Sequence, residues 1–144
     1  MAARAQSRNA ATSELRIAVM RLARRLRSQR AETGLSIGHI AALGSIERHE
    51  PITPGELAAH EKVQPPSMTR ILTTLEERGF VTREPHPTDG RQSLLYVSPT
   101  GRAMLSDDRR RRDAWLAQRL EALTPAELQT LQQAAAIMDR LAGS

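Results

Sequence analysis

The chain has 144 residues, 40% apolar and 26% charged, with no cysteine and a formal net charge of +5, which fits one ordinary domain with room for one real core. Without cysteine there is no disulfide, no thiolate nucleophile, no thiol redox switch and no Cys-containing zinc site. No apolar run approaches the roughly 18–20 residues of a membrane span or the core of a secretory signal. The acid-poor opening MAARAQSRNAATS has transit-peptide composition but runs on into a helical pattern, so a cytoplasmic protein is expected.

Phe80, Tyr96 and Trp115 are the only aromatic residues. Burial must therefore come from Leu, Ile, Val, Ala and Met, residues that favour helices. Leu15, Ala18, Val19, Leu22 and Leu26 form one stripe, with Arg16, Arg21, Arg24, Arg25 and Arg27 mostly off it. That spacing predicts a long amphipathic first helix, ended by Gly34. Ser36 opens a short second helix over Ile37, Ile40, Ala41 and Leu43 that stops near Gly44 to Arg48, before Pro51. Thr53-Pro54-Gly55-Glu56 is a capping box with proline at the first helical position, and starts a third helix over about 53–61. Only Lys62, Val63 and Gln64 separate it from a fourth helix, opened by Pro65, carried by Met68, Ile71, Leu72 and Leu75, and stopped at Gly79. Two short helices joined by a tight turn make a helix-turn-helix.

After Gly79 the period becomes extended: Phe80 to Arg83, a turn over Pro85 to Gly90, then Ser93 to Val97, which predicts a β-hairpin. Ser98-Pro99 caps a fifth helix with Met104, Leu105, Trp115, Leu116, Leu120 and Leu123 as its apolar positions, interrupted by the stripe-free SDDRRRRDA. Thr124-Pro125-Ala126-Glu127 is a second capping box and starts a last helix over Leu128, Leu131, Ala135, Met138 and Leu141. The expected fold is mainly α with a small β-hairpin wing. A winged helix-turn-helix lobe spans about 36–98, and helices over about 12–31 and 99–142 flank it. The apolar faces of those flanking helices exceed what one chain covers, so a homodimer sharing them is expected.

Charge is unevenly placed. Residues 1–30 carry eight arginines against Glu14, a balance of +7, whereas residues 31–84 carry four arginines and Lys62 against eight glutamates, a balance of −3. A basic chain suggests a polyanionic partner. If the middle binds nucleic acid, a few placed arginines must do so against an acidic background. The second helix of a helix-turn-helix faces base edges with its N-terminal residues. Here those are Gln64, Pro65, Pro66, Ser67, Thr69, Arg70, Thr73 and Thr74. Arg70 suits a guanine edge or a phosphate. Ser67, Thr69 and Thr73 suit donation to phosphates or contact with a thymine methyl.

Two stretches resemble one family. HPTDGRQSLLYVSPTGRAML is similar to the wing and following helix of the multiple antibiotic resistance regulator (MarR) family, with its Asp-x-Arg, short strand and Ser/Thr-x-x-Gly. VQPPSMTRILTTLEERGFVTRE is similar to that family's recognition helix, in which Thr-Arg is followed by Leu-x-x-x-Gly, two apolar residues and x-Arg. The order of elements matches the family over essentially the whole chain. The resemblance implies a DNA-binding transcription regulator, with Arg91 at the wing reaching the minor groove and Asp89 holding the Arg91 side chain. It also implies a small, often aromatic anionic effector in a crevice that Arg16, His39, His49 and Trp115 are candidates to line. One departure is local: Pro65 and Pro66 remove backbone donors at a helix start, leaving Gln64 and Ser67 for phosphate anchoring there.

The expectation is a ligand-responsive repressor that binds a pseudo-palindromic double-stranded operator as a homodimer, with half-sites about one helical turn apart. Two other readings stand beside it: a winged-helix protein-interaction module without specific DNA binding, and a metal-responsive regulator using His39, His49, His60 and His86. The histidine spacings form no compact ligand pair, and no metal or other cofactor is expected. The sequence shows neither a Ser/His/Asp triad pattern nor a phosphate-cradling glycine loop, so no enzymatic role is expected. Arg109 to Arg112 read as a solvated helix face, or as a contact for phosphates or an acidic partner.

Overall fold

The computed structural model describes residues 2–143, with side chains over 7–143; Met1 and the next five side chains, within the transit-like opening, lie outside the described residues. Among the described residues the order is α1 (Ala2–Arg27), α2 (Ile37–His49), α3 (Pro54–Glu61), α4 (Pro65–Glu77), β1 (Val81–Pro85), β2 (Ser93–Val97), α5 (Pro99–Leu120) and α6 (Pro125–Ala142). The chain divides into two compact units, residues 31–109 and residues 1–30 with 110–144. No described helix is long and apolar enough to cross a membrane.

The 31–109 unit holds the core. Leu43, Ile46, Ile52, Leu57, Met68, Leu72, Leu75 and Leu95 are all essentially solvent-free, so α2, α3, α4 and β2 bury their apolar positions against one another. The predicted capping box at Thr53 is present: Thr53 Oγ1 accepts from Glu56 N at 3.2 Å and Thr53 N donates to Glu56 Oε2 at 3.1 Å. A second box at Ser36 uses His39 in place of a carboxylate, the Ser36 amide donating to His39 Nδ1 at 3.1 Å. α2 runs through Gly44 and ends at His49, one residue past the expected Gly44 to Arg48 stop. Gly44 is buried within the helix, and a methyl group there would meet only the tip of the Arg48 side chain, at 3.4 Å.

β1 and β2 pair antiparallel with Val81 opposite Val97 and Pro85 opposite Ser93. A bridge between Ile52 and Leu95, with Leu95 N donating to Ile52 O at 2.8 Å, adds a third extended segment beside the middle of β2. Gly79 takes φ +73°, the left-handed turn that converts helix to strand. The start of α5 is pinned to α2. Glu50 Oε2 accepts from Val97 N at 2.8 Å and Glu50 Oε1 pairs with Arg102, while Arg109 pairs with Glu47. The Glu47 hydrogen bond holds the Arg109 pKa above its ordinary value.

The other unit differs in burial. α1 ends at Arg27, before Gly34, because Ser28 Oγ and Gln29 Nε2 both donate to the Arg25 carbonyl, at 2.7 and 3.1 Å, and close the last turn. Gly34 instead takes φ +73° in the connection that follows. α5 stops at Leu120, so Leu123 sits in the turn before α6. Thr124 caps α6, and the hydrogen bonds from the Thr124 amide and hydroxyl hold the Glu127 carboxyl below its ordinary pKa. No residue of α6 is buried, and Leu15, Ile17, Met20, Leu22, Leu131, Ile137 and Leu141 are exposed.

Candidate nucleic-acid interface

α4 is the most strongly two-faced element of the core unit. Met68, Leu72 and Leu75 are buried, and Gln64, Pro65, Pro66, Ser67, Thr69, Arg70 and Thr73 are exposed, with Thr74 between. The spacing of three and four residues puts these two sets on opposite sides. α3 is joined to α4 by Lys62 at φ 52°, a left-handed residue whose amide, with that of Val63, satisfies the last carbonyls of α3. Gln64 precedes α4, and its side chain makes no capping hydrogen bond.

The threonines are oriented by their own helix. Thr69 Oγ1 donates to Pro65 O at 3.0 Å, Thr73 Oγ1 to Thr69 O at 2.9 Å and Thr74 Oγ1 to Arg70 O at 3.2 Å. With the hydroxyl proton turned inward, Thr69 and Thr73 present methyl groups and oxygen lone pairs outward. Of the two roles expected for them, thymine-methyl contact fits this rotamer, and donation to a phosphate requires a rotation. The Arg70 side chain makes no hydrogen bond or ion pair among the described residues and is fully available to an outside acceptor.

The hairpin tip is organised by residues of its own. His86 Nδ1 accepts from the amides of Thr88 at 3.2 Å and Asp89 at 3.1 Å. Gln92 N donates to Asp89 O at 3.0 Å, and His86 N donates to Gln92 O at 3.2 Å. Asp89 Oδ1 accepts from both Arg91 N, at 3.1 Å, and Arg91 Nε, at 3.3 Å. Arg91 nevertheless has a side chain 93% exposed. Its far guanidinium nitrogens are thus free to point outward while the near one is held. This is the arrangement expected of a tethered arginine.

Sequence reasoning missed two contributors. Arg83 on β1 reaches Glu76 Oε1 at 2.8 Å through Nε and Ser93 Oγ at 2.8 Å through a terminal nitrogen, joining α4 to the hairpin. No sequence signal pairs these three residues, since the contacts cross 7 and 10 positions. His86, read as a metal candidate, is a turn acceptor instead. A groove of about 340 Å3 lies between the start of α3 and the hairpin, lined by Thr53, Pro54, Gly55, Arg83, Arg91, Gln92 and Ser93.

The candidates for an effector crevice have local occupations. His39 completes the α2 capping box. His49 Nδ1 donates to the Ser45 carbonyl at 2.9 Å, and its ring stacks on His60 with centroids 4.3 Å apart. Trp115 is half-buried, with the guanidinium groups of Arg25 and Arg119 at 5.9 and 5.1 Å from its ring centre, distances at which a cation is attracted to the ring face. Arg16 is exposed on α1. Among the described residues, no group of three or more His, Asp or Glu is placed to hold a metal ion.

Comparison with known proteins adds to this geometry. Residues 35–93 match the MarR family model. An HTH-type transcriptional regulator of Mycobacterium tuberculosis, MT0903.1, is 44% identical over 126 residues, 88% of each chain. Among solved structures, a Pseudomonas aeruginosa protein assigned as a transcriptional regulator superposes with a TM-score of 0.84 at 29% identity, over 94% of this chain and 96% of that one. Apo MarR from E. coli superposes with a TM-score of 0.70 at 25% identity, over 88% and 95%. The helix-turn-helix, the hairpin wing and the flanking helices thus recur together at this order and spacing, and the chain belongs to the MarR family of helix-turn-helix transcriptional regulators.

Proposed function

We propose that the protein is a ligand-responsive repressor that binds a pseudo-palindromic operator as a homodimer, with 36–98 as the DNA-binding lobe and 12–31 and 99–142 as dimerisation helices. The observation that carries this reading is the pairing of two presented arginines. Arg70 stands on the exposed face of α4, and Arg91 stands at the hairpin tip, anchored by Asp89 and open to solvent. A helix with Gln64, Pro65, Ser67, Thr69, Arg70 and Thr73 outward and Thr74 at the edge of that face fits the major groove. A narrow tip bearing one arginine fits the minor groove, whose negative potential draws it in.

Support for a second copy comes from the apolar residues left uncovered on α1 and α6. A patch of this kind marks an interaction surface, and a two-fold pair of such chains would present two α4 helices to successive turns of one DNA face. A small aromatic or anionic effector would act by preferring one spacing of the two helices over the other. Selection from random double-stranded DNA tests the proposal. Enrichment of a two-fold symmetric sequence supports it, and recovery of unrelated sequences favours a protein-interaction module.

A further inference from the structure

We infer that Arg83 is a positioning residue that sets the wing at a fixed angle to the α4 helix, so that major-groove and minor-groove contacts are made in one register. The inference rests on the DNA-binding reading above. Val81, Leu95 and Val97 anchor the inner half of the hairpin in the core, and the outer half has little else to hold it. A two-stranded ribbon is marginal alone, and β1 is exposed at every position after Val81. The Ile52 bridge meets β2 only at Leu95, the middle residue of the strand. Beyond Leu95 toward the tip lie Leu94, Ser93 and then the turn that carries Arg91.

Arg83 closes this gap. Its strand partner is Leu95, and Ser93 is the diagonal neighbour toward the tip on the same face. One guanidinium spans both directions, taking Glu76 of α4 at 2.8 Å and Ser93 of β2 at 2.8 Å. The planar fork of arginine permits two bonds in fixed directions, which a lysine ammonium on a flexible stem does not. Ser93 lies two residues from Arg91, and Arg83, Ser93 and Arg91 line the same groove. The Arg83 and Glu76 side chains are 37% and 32% exposed, and a pair of that exposure contributes little to global stability. Its effect is therefore local orientation rather than folding.

The test compares Arg83→Met with wild type in the full chain, with Arg91→Ala in both backgrounds, on an operator selected from random DNA. In the wild-type background Arg91→Ala is expected to weaken binding about tenfold or more. With Arg83→Met present, the same change is expected to cost less than about threefold, because the wing is already misplaced. Arg70→Ala should cost the same in both backgrounds. Hydrogen exchange of the free protein should show faster exchange over 82–96 in Arg83→Met and unchanged protection in α4. Arg83→Lys should rescue in part, and Ser93→Ala, the mildest change, should shift exchange and coupling in the same direction if Arg83→Met folds poorly. Equal cost of Arg91→Ala in both backgrounds, with an unchanged exchange pattern, overturns the inference. A loosened hairpin in a protein that selects no operator overturns the DNA reading and leaves the tether standing as structure alone.

Discussion

Gly101 sits in the first turn of α5, buried, with its amide donating to Ser98 Oγ at 3.0 Å. A methyl group added there would lie 2.4 Å from the Phe80 carbonyl oxygen, 3.2 Å from its carbon and 2.8 Å from Val97 Cγ1. Val97 can turn its side chain, but the Phe80 carbonyl cannot move alone. It accepts from Ser98 N at 3.0 Å, and the Phe80 amide donates to Leu75 O at 2.9 Å, so backbone ties α4, β1 and α5 together at this point. Relief requires the helix to withdraw by at least about 0.6 Å, the shortfall from a 3.0 Å contact. In an open helix Gly→Ala gains about 1 kcal/mol. Overpacking of this kind costs about 1–3 kcal/mol, and more where backbone must shift. The steric cost wins, and Gly101→Ala should destabilise the protein by about 2 kcal/mol. Urea unfolding at fixed chain concentration measures it, with a lower midpoint and an unchanged slope. Gly55→Ala is the control, since nothing lies within 4 Å of a methyl there. A Gly101→Ala midpoint equal to or above wild type refutes the reasoning.

Other consequences follow from the same contacts. Thr53→Ala removes the hydroxyl that caps α3 and should cost about 1 kcal/mol in urea unfolding, with Thr53→Ser restoring most of it. Because the Glu127 pKa is lowered by Thr124, its stabilising effect is present above the ordinary carboxylate range. It is lost as pH falls through the folded-state value. The unfolding curves of wild type and Glu127→Gln should therefore differ near neutrality and converge in acid; a gap that widens in acid contradicts the assignment. Leu22→Asp and Leu131→Asp place a charge on the uncovered faces of α1 and α6 and should convert a dimeric mass in light scattering to a monomeric one, while wild type that is already monomeric removes the case for a shared core. Asp89→Ala should weaken operator binding by less than Arg91→Ala, since it frees the arginine without deleting it, and competition titration ranks the two.

How much was legible in the sequence follows the reach of each interaction. The capping boxes at Thr53 and Thr124 depend on residues three apart, and both stand as the residues imply. The stripe of Met68, Leu72 and Leu75 predicts which face of α4 is buried, and the Asp89–Arg91 contact spans two positions. Contacts between distant segments left no local pattern: Ile52 with Leu95, Glu50 with Arg102, and Arg83 with Glu76 and Ser93. His39 was hidden for a different reason. An imidazole nitrogen can do the work of a carboxylate at the third position of a helix, which a search for Glu or Gln passes over. The end of α1 was misplaced because glycine is a common stop, whereas here Ser28 and Gln29 close the helix with their side chains.

The most direct test of the account is a footprint and titration on the DNA upstream of the protein's own gene, at two salt concentrations, with Arg91→Ala and Arg70→Ala alongside wild type. The account predicts a discrete two-fold symmetric protected site with half-sites about one helical turn apart, and a loss of about 1–3 kcal/mol of binding in each variant. Diffuse, strongly salt-dependent binding, unchanged in both variants on this DNA and on sequences selected from random pools, would contradict it.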